Sequence, residues 1–330
     1  MKAIRIIRPG EPDVLELADL ETPAPGRGQV RVEVYGTALN RADLLQRRGA
    51  YPAPPGVPAD IPGLEFSGVV ERVGEGVDES AVGSWVMGLV GGGGYAEMLV
   101  TEANQVVPMP RGLQFVECAA VPEAFCTAYD ALVVQGELRR GQTVLIHAAG
   151  SGVGPAAIQG ARSCGAARIF GTASSAKLDT LEERGLSLEV PIDYRRQSCR
   201  DGIRRETDGT GVELLLDLVG ATYWTDNIAS LRSRGRIVLV GLVGGTMAQL
   251  NLGVLLRRRL HVIGTVLRSR DAEEKKNLAE LTRTHLLPRF ESGELFPVVD
   301  RVFDLHEAAE AHTYMEDNQN AGKVVLRVRS

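Results

Sequence analysis

The stretch Ala148-Ala-Gly-Ser-Gly-Val-Gly154 has a composition suited to one chemical task. It follows the apolar run Val144-Leu-Ile-His-Ala-Ala149 and leads into a small-residue segment, Gly152 to Cys164, that reads as a helix. Glycines in such a turn let the backbone approach a pyrophosphate closely. The start of the helix adds unpaired N–H groups and a partial positive charge. The strict G-x-G-x-x-G form is not met, because Ala149 and Ser151 occupy the first two glycine positions. Strand, turn, helix and a second strand, Arg168 to Ala173, still come in the order that a dinucleotide site requires. Gly150, Ser151, Gly152, Val153 and Gly154 are therefore expected to hold the cofactor.

The end of the second strand addresses which nicotinamide cofactor is bound. An NAD site usually carries Asp or Glu there, ~20 residues on, to hold the ribose hydroxyls. Here the run is Thr172-Ala-Ser-Ser-Ala-Lys177, with no carboxylate before Asp179. Ser174 offers a hydroxyl and Lys177 a charge to a 2′-phosphate. NADPH is expected over NADH. Tyr194, just past the third strand, offers a phenol to the same phosphate.

Other elements must position this turn. Residues 1 to about 120 are rich in Pro and Gly, with short alternating runs such as Val30 to Tyr35 and Phe66 to Val73. That texture predicts a β-rich, barrel-like domain. The Gly91–Gly94 run reads as a flexible turn between strands. From about 124 to 300, apolar strands alternate with helical stretches. Strands are expected at Val190–Ile192, Glu213–Asp217, Arg236–Val240 and Leu260–Thr265, with a helix from Ala176 to Arg184. This alternation predicts βαβ units and a parallel sheet, hence an α/β, doubly wound domain. A helix near His306–Met315 and a strand near Lys323–Val328 are expected to rejoin the first domain. The expected division is 1–123 with 301–330, and 124–300.

Bulk properties narrow the function classes. The chain has 330 residues, 44% hydrophobic and 24% charged, with a net charge of −5. Nucleic-acid binding would call for a basic surface, so it is not expected. No signal peptide or membrane-spanning segment is read, and a cytoplasmic protein is the expectation. The four cysteines (118, 126, 164 and 199) form no C-x-x-C pair and are expected to be reduced.

Several motifs in order now carry a resemblance. They are Ala38-Leu-Asn-Arg-Ala-Asp43, Pro62-Gly-Leu-Glu-Phe-Ser-Gly68, Ala120-Val-Pro-Glu123, the turn at Gly150–Gly154 and Gly322-Lys-Val-Val325. The chain resembles the zinc-free quinone oxidoreductases of the zeta-crystallin type, in the medium-chain dehydrogenase/reductase superfamily. Asn40 to Tyr51, with Leu267-Arg-Ser-Arg-Asp271, is most similar to the NADPH:quinone oxidoreductase branch. The resemblance implies a GroES-like domain, a Rossmann domain with the cofactor in the cleft between them, and a homodimer or homotetramer.

The resemblance also implies a site without metal. Zinc-dependent relatives carry Cys where this chain has Asn40 and His where it has Leu64, beside Glu65. They also carry four closely spaced cysteines, which are missing here. The five histidines (147, 261, 285, 306 and 312) are dispersed, and His147 reads as a core residue. Zinc needs several nitrogen or thiolate ligands, so no metal residue is expected. By the resemblance, Asn40 and Tyr51 face nicotinamide and substrate, and Ser151 touches the pyrophosphate or nicotinamide. Gly241, Leu242, Arg268 and Lys323 are expected beside the cofactor.

A metal-free site suits acceptors that delocalise the charge of an incoming hydride. The leading expectation is hydride transfer from NADPH to a quinone. The alternative is reduction of an enone or 2-enoyl thioester. A third reading, a structural or RNA-binding protein, conflicts with the acidic balance and the complete cofactor turn.

Overall fold

The structure, a computed structural model, describes residues 1–329. Fifteen strands form among the described residues. The first seven are β1 (Lys2–Ile6), β2 (Leu15–Asp19), β3 (Gln29–Ala38), β4 (Glu65–Val73), β5 (Trp85–Leu89), β6 (Met98–Glu102) and β7 (Val106–Pro108). Next come β8 (Thr143–Ile146), β9 (Arg168–Ala173), β10 (Val190–Asp193), β11 (Val212–Asp217), β12 (Leu231–Leu239) and β13 (His261–Gly264). The last two are β14 (Val299–Asp304) and β15 (Lys323–Arg327). The chain divides into two compact units. Unit 1 is Met1–Cys126 with Leu267 onward, and unit 2 is Thr127–Val266.

Unit 1 is built on a sheet in the order β14-β15-β3-β4-β5-β7, with β6 also paired to β3. Its pairs are antiparallel except β14 with β15. Alternate residues of a strand point to opposite faces. Val30, Val32 and Val34 accordingly share one core with Phe66, Val70, Val86 and Leu99. A second core gathers Ile4, Leu39, Leu44, Tyr95, Phe303, Met315 and Leu326. The helix Ala308–Glu316 lies two residues beyond the expected start and contributes Ala308, Ala311 and Met315 to that core.

The segment 267–300, expected with the α/β domain, belongs to unit 1. Its helices pack there: Phe290 meets Phe125 edge to face at 4.7 Å, and Arg283 donates to the Asn104 carbonyl at 2.9 Å. Periodicity reveals that these helices exist but not which unit they cover. The Gly91–Gly94 run also departs from its reading as a flexible turn, because all four residues are buried. A Cβ on Gly94 would lie 2.9 Å from the Glu65 carbonyl, so backbone packed on backbone explains the glycine there.

Unit 2 carries six parallel strands in the order β10-β9-β8-β11-β12-β13. Val144, Leu145 and Ile146 are wholly buried, as befits a strand covered on both faces. Strand β12 begins at Leu231, five residues before the expected Arg236, beyond an irregularity in its register with β11. The helices Gly154–Ser163, Ser175–Glu183, Cys199–Glu206, Trp224–Ser230 and Leu252–Arg258 complete the crossovers. The strand order reverses between β8 and β11. Ligands of such sheets bind beyond the carboxyl ends of the strands at that reversal.

Candidate functional site

The turn Ala148–Gly154 leaves the carboxyl end of β8 at that reversal. Ala148 takes φ +49°, a left-handed conformation rare for residues with a Cβ. Gly154 opens the helix, and a Cβ there would lie 2.0 Å from the Ala149 carbonyl oxygen, so only glycine fits. The Ser151 hydroxyl accepts from the Gly154 N–H at 3.1 Å and thereby caps the helix start. Among the described residues, the N–H groups of Gly150, Gly152 and Val153 donate to nothing in the chain. They form a cradle of free donors that fits a pyrophosphate.

Buried polar residues brace the turn from beneath. His147 Nε2 lies 2.7 Å from Asn227 Oδ1, and Nδ1 lies 2.9 Å from the Thr172 hydroxyl. Burial lowers its pKa and keeps the ring neutral. Since Asn227 Oδ1 only accepts, the ring proton sits on Nε2. Asn227 donates in turn to Asp217 Oδ2 at 2.9 Å, while Asp217 Oδ1 accepts from the N–H groups of Val219 and Gly220. His147 is thus a satisfied core residue joining β8, β9 and β11. Apolar patterning around it gave no signal of these partners.

Ser174 caps the helix Ser175–Glu183 through its backbone carbonyl, which accepts from Lys177 N and Leu178 N at 3.0 Å each. Lys177 packs its stem over Gly150: a Cβ on that glycine would stand 2.8 Å from the Lys177 Cβ. The charge-bearing side chain and the phosphate turn are therefore neighbours. Tyr194 is exposed, with Arg195 over its ring at 5.7 Å. Asp193 is turned away, bonded to the Ser175 hydroxyl and paired with Arg196 at 3.3 Å. Arg195 and Arg196 are nearby cations that motif reading passed over. Gly241 follows β12, and its N–H lies 3.2 Å from the Asp217 carbonyl; Leu242 beside it is exposed.

Unit 1 gathers a second set. Lys323 was expected beside the cofactor, but its ammonium spends all three donors inside the unit. They reach the Leu39 carbonyl at 2.9 Å, Asn40 Oδ1 at 2.8 Å and Glu65 Oε1 at 2.6 Å. Asn40 donates its amide to Glu65 Oε1 at 2.9 Å and to the Ala38 carbonyl at 3.3 Å. Glu65 Oε2 accepts from the Glu123 backbone N–H at 2.8 Å. Arg268, also expected at the cofactor, is buried in unit 1. It donates to the Gly91 carbonyl at 2.7 Å, Gln46 Oε1 at 2.5 Å and the Tyr51 carbonyl at 3.2 Å. Its guanidinium lies 5.0 Å from the Tyr51 ring centre. Burial pushes the Tyr51 phenol above its usual pKa, so it stays a donor.

Asp43 is fully buried and accepts from Gly63 N at 2.9 Å and Asn40 N at 2.8 Å. Burial pushes its pKa up to about 6. A directional chain runs toward it. Arg47 donates to His312 Nδ1 at 3.2 Å, His312 Nε2 meets the Tyr95 hydroxyl at 3.2 Å, and that hydroxyl donates to Asp43 at 3.4 Å. A cavity opens among Met87, Val107, Glu123, Arg268, Lys275 and Leu278. Burial and the neighbouring Glu65 push Glu123 up to about 8. Glu123 was legible only as part of a motif.

Among the described residues, no group of three or more His, Cys, Asp or Glu stands where it could hold a metal ion. At Asn40 and Glu65, the donor oxygens already receive the Lys323 ammonium, which would repel a dication. Zinc does not fit this donor set.

Residues 26–111 match the family described as alcohol dehydrogenase GroES-like domain, and residues 186–326 the family described as zinc-binding dehydrogenase. The chain is 35% identical to the synaptic vesicle membrane protein VAT-1 homolog of Rattus norvegicus, over 92% of this chain and 78% of that protein. It is 34% identical to a quinone oxidoreductase of Pseudomonas aeruginosa, over 98% and 99%. Among solved structures, an NAD-dependent alcohol dehydrogenase superposes with TM-score 0.88 at 34% identity, covering 100% of both chains. Escherichia coli quinone oxidoreductase complexed with NADPH superposes with TM-score 0.89 at 26% identity, covering 99% and 100%. The GroES-like and Rossmann architecture expected from the sequence is therefore present. On its full-length match to the Pseudomonas protein, the chain belongs to the quinone oxidoreductase family of the medium-chain dehydrogenase/reductase superfamily.

Proposed function

We propose that the protein transfers hydride from NADPH to a quinone, without zinc. The observation that carries this reading is Lys177 packed over Gly150 of the phosphate turn, with no carboxylate on the second strand's end before it. The free N–H groups of Gly150, Gly152 and Val153, with Ser151 and Gly154 shaping the turn, suit the pyrophosphate. Ser174, Lys177 and Tyr194 suit the 2′-phosphate, and Gly241 and Leu242 the strand end beside it. NADPH supplies the hydride and its two electrons. Asn40, fixed by Lys323 and Glu65, and the protonated Tyr51 present polar groups to the acceptor. Lys323 and Arg268 then act as positioning residues. A quinone needs no protein acid, since solvent protonates its reduced oxygens.

A homodimer accompanies this reading. Strand β13 is the edge of its sheet, and Val262 on it and Leu252 and Leu256 on the preceding helix are exposed. Such an edge commonly pairs with another strand. Among the described residues, no helix is long and apolar enough to cross a membrane. The cytoplasm is the proposed setting of the reductase.

NADPH and NADH oxidation with 1,4-benzoquinone, beside metal analysis, tests the reading. Quinone-dependent consumption of NADPH well above NADH, without stoichiometric zinc, is expected. Preference for NADH would sink the Lys177 assignment, and one zinc per chain would sink the metal-free site. Reduction of an activated alkene is the second reading, favoured by an acidic group at the cavity.

A further inference from the structure

Glu123 is half-buried and lines the unit 1 cavity beside Arg268 and Lys275, opposite apolar walls that include Met87, Val107 and Leu278. Among the described residues, no hydrogen bond reaches its carboxyl oxygens; its bonds are made by the backbone, as to Glu65 Oε2 at 2.8 Å. It is a polar group aimed into an apolar cavity with its own bonding capacity unspent. The charged groups around it are Glu65 from β4, Asp43 from the helix Arg41–Arg47, Lys323 from β15 and Arg268. Lys275 stands on the cavity wall. Burial first, then Glu65, hold Glu123 at about 8, so it keeps its proton at neutral pH.

We propose that Glu123 is the acid that protonates an α,β-unsaturated carbonyl compound seated in this cavity. The assignment rests on reading the protein as a nicotinamide-dependent reductase. The β-carbon receives hydride, forming a C–H bond, and the alkene π pair moves to give an enolate. The Glu123 proton passes to the α-carbon as the enolate pair forms that second C–H bond. The alkene is reduced by two electrons and the nicotinamide oxidised by two. The Glu123 carboxylate then takes a proton from solvent. Protonation at carbon is slow, so a positioned acid matters here more than for a quinone.

The test compares Glu123→Gln and Glu123→Asp with wild type, using NADPH and two acceptors, 2-cyclohexen-1-one and 1,4-benzoquinone. Enone kcat in Glu123→Gln is expected to fall about 100-fold, at least tenfold further than quinone kcat. Wild-type enone turnover should decline as pH rises through about 8, and that limb should vanish in the Gln variant. Glu123→Asp should recover part of the enone rate. Infrared difference spectra of the cofactor-free protein, wild type minus Gln variant, should show a protonated carboxyl titrating in the same range. Equal losses with both acceptors, a persistent limb, or a carboxyl already ionised at neutral pH would overturn the assignment. Wild-type activity with quinone alone would overturn it while sparing the reductase reading. No NADPH consumption with either acceptor would overturn both.

Discussion

Lys323 on β15 and Glu65 on β4 meet at 2.6 Å across the intervening β3, and both side chains are buried. Removing one partner of a buried pair strands the other charge in a poor solvent. Lys323→Met should therefore cost about 3–5 kcal/mol of stability in denaturant titrations. Adding Glu65→Gln to it should restore part of the loss. An additive or larger loss in the double variant would show that the pair is not what holds these strands.

Lys177 offers a test of cofactor choice. Charge-assisted hydrogen bonds contribute roughly 1.5–3 kcal/mol, so Lys177→Ala should raise KM for NADPH by about 10- to 100-fold. KM for NADH should change far less. Equal changes for both cofactors would place Lys177 away from the 2′-phosphate.

At Gly154, the space for a methyl group is already taken by the Ala149 carbonyl, 2.0 Å from the Cβ position. Gly154→Ala must displace the turn or the helix start. Loss of NADPH binding is expected by fluorescence titration, with a lower Tm. Normal binding in this variant would contradict the assigned cradle.

His312 carries a pH signature. Burial, with Arg47 nearby, depresses its pKa from 6.5 to about 3. Between those values the unfolded chain binds the proton and the fold does not. Stability should therefore fall as pH drops from about 6.5 toward 3, by on the order of 4 kcal/mol from this residue. Asp43 acts in the opposite sense from about 6 down to 3.8, because its folded pKa is raised. The difference between wild type and His312→Gln isolates the histidine: the variant should lose less stability on acidification. Identical pH dependence would show that His312 is not the group being protonated.

Local patterns showed some of this in advance. The strand Arg168–Ala173 and the turn at Gly150–Gly154 stood out because apolar runs and glycines leave local marks. Lys177 was legible because its position depends on a count from the turn. The surroundings of Glu123 and His312 and the partners of Lys323 were not. Lys323 reaches Leu39, Asn40 and Glu65 from hundreds of residues away, and no periodicity encodes such a meeting. The charges that act on Glu123 likewise come from β4, β15 and the segment at Arg268 together.

The division of the chain also has a consequence for synthesis. Unit 2 is one uninterrupted stretch, Thr127–Val266, whereas unit 1 needs residues from both sides of it. Strand β3 lacks its neighbour β15 until Lys323–Arg327 has left the ribosome. Unit 2 can therefore be finished first during translation, while residues 1–126 wait with the Gly36–Ala38 end of β3 unpaired on one side. Unpaired edges of that kind invite misassociation. A nascent chain truncated before β14 should expose this edge, and its capture by holding chaperones should end once Lys323–Arg327 has emerged.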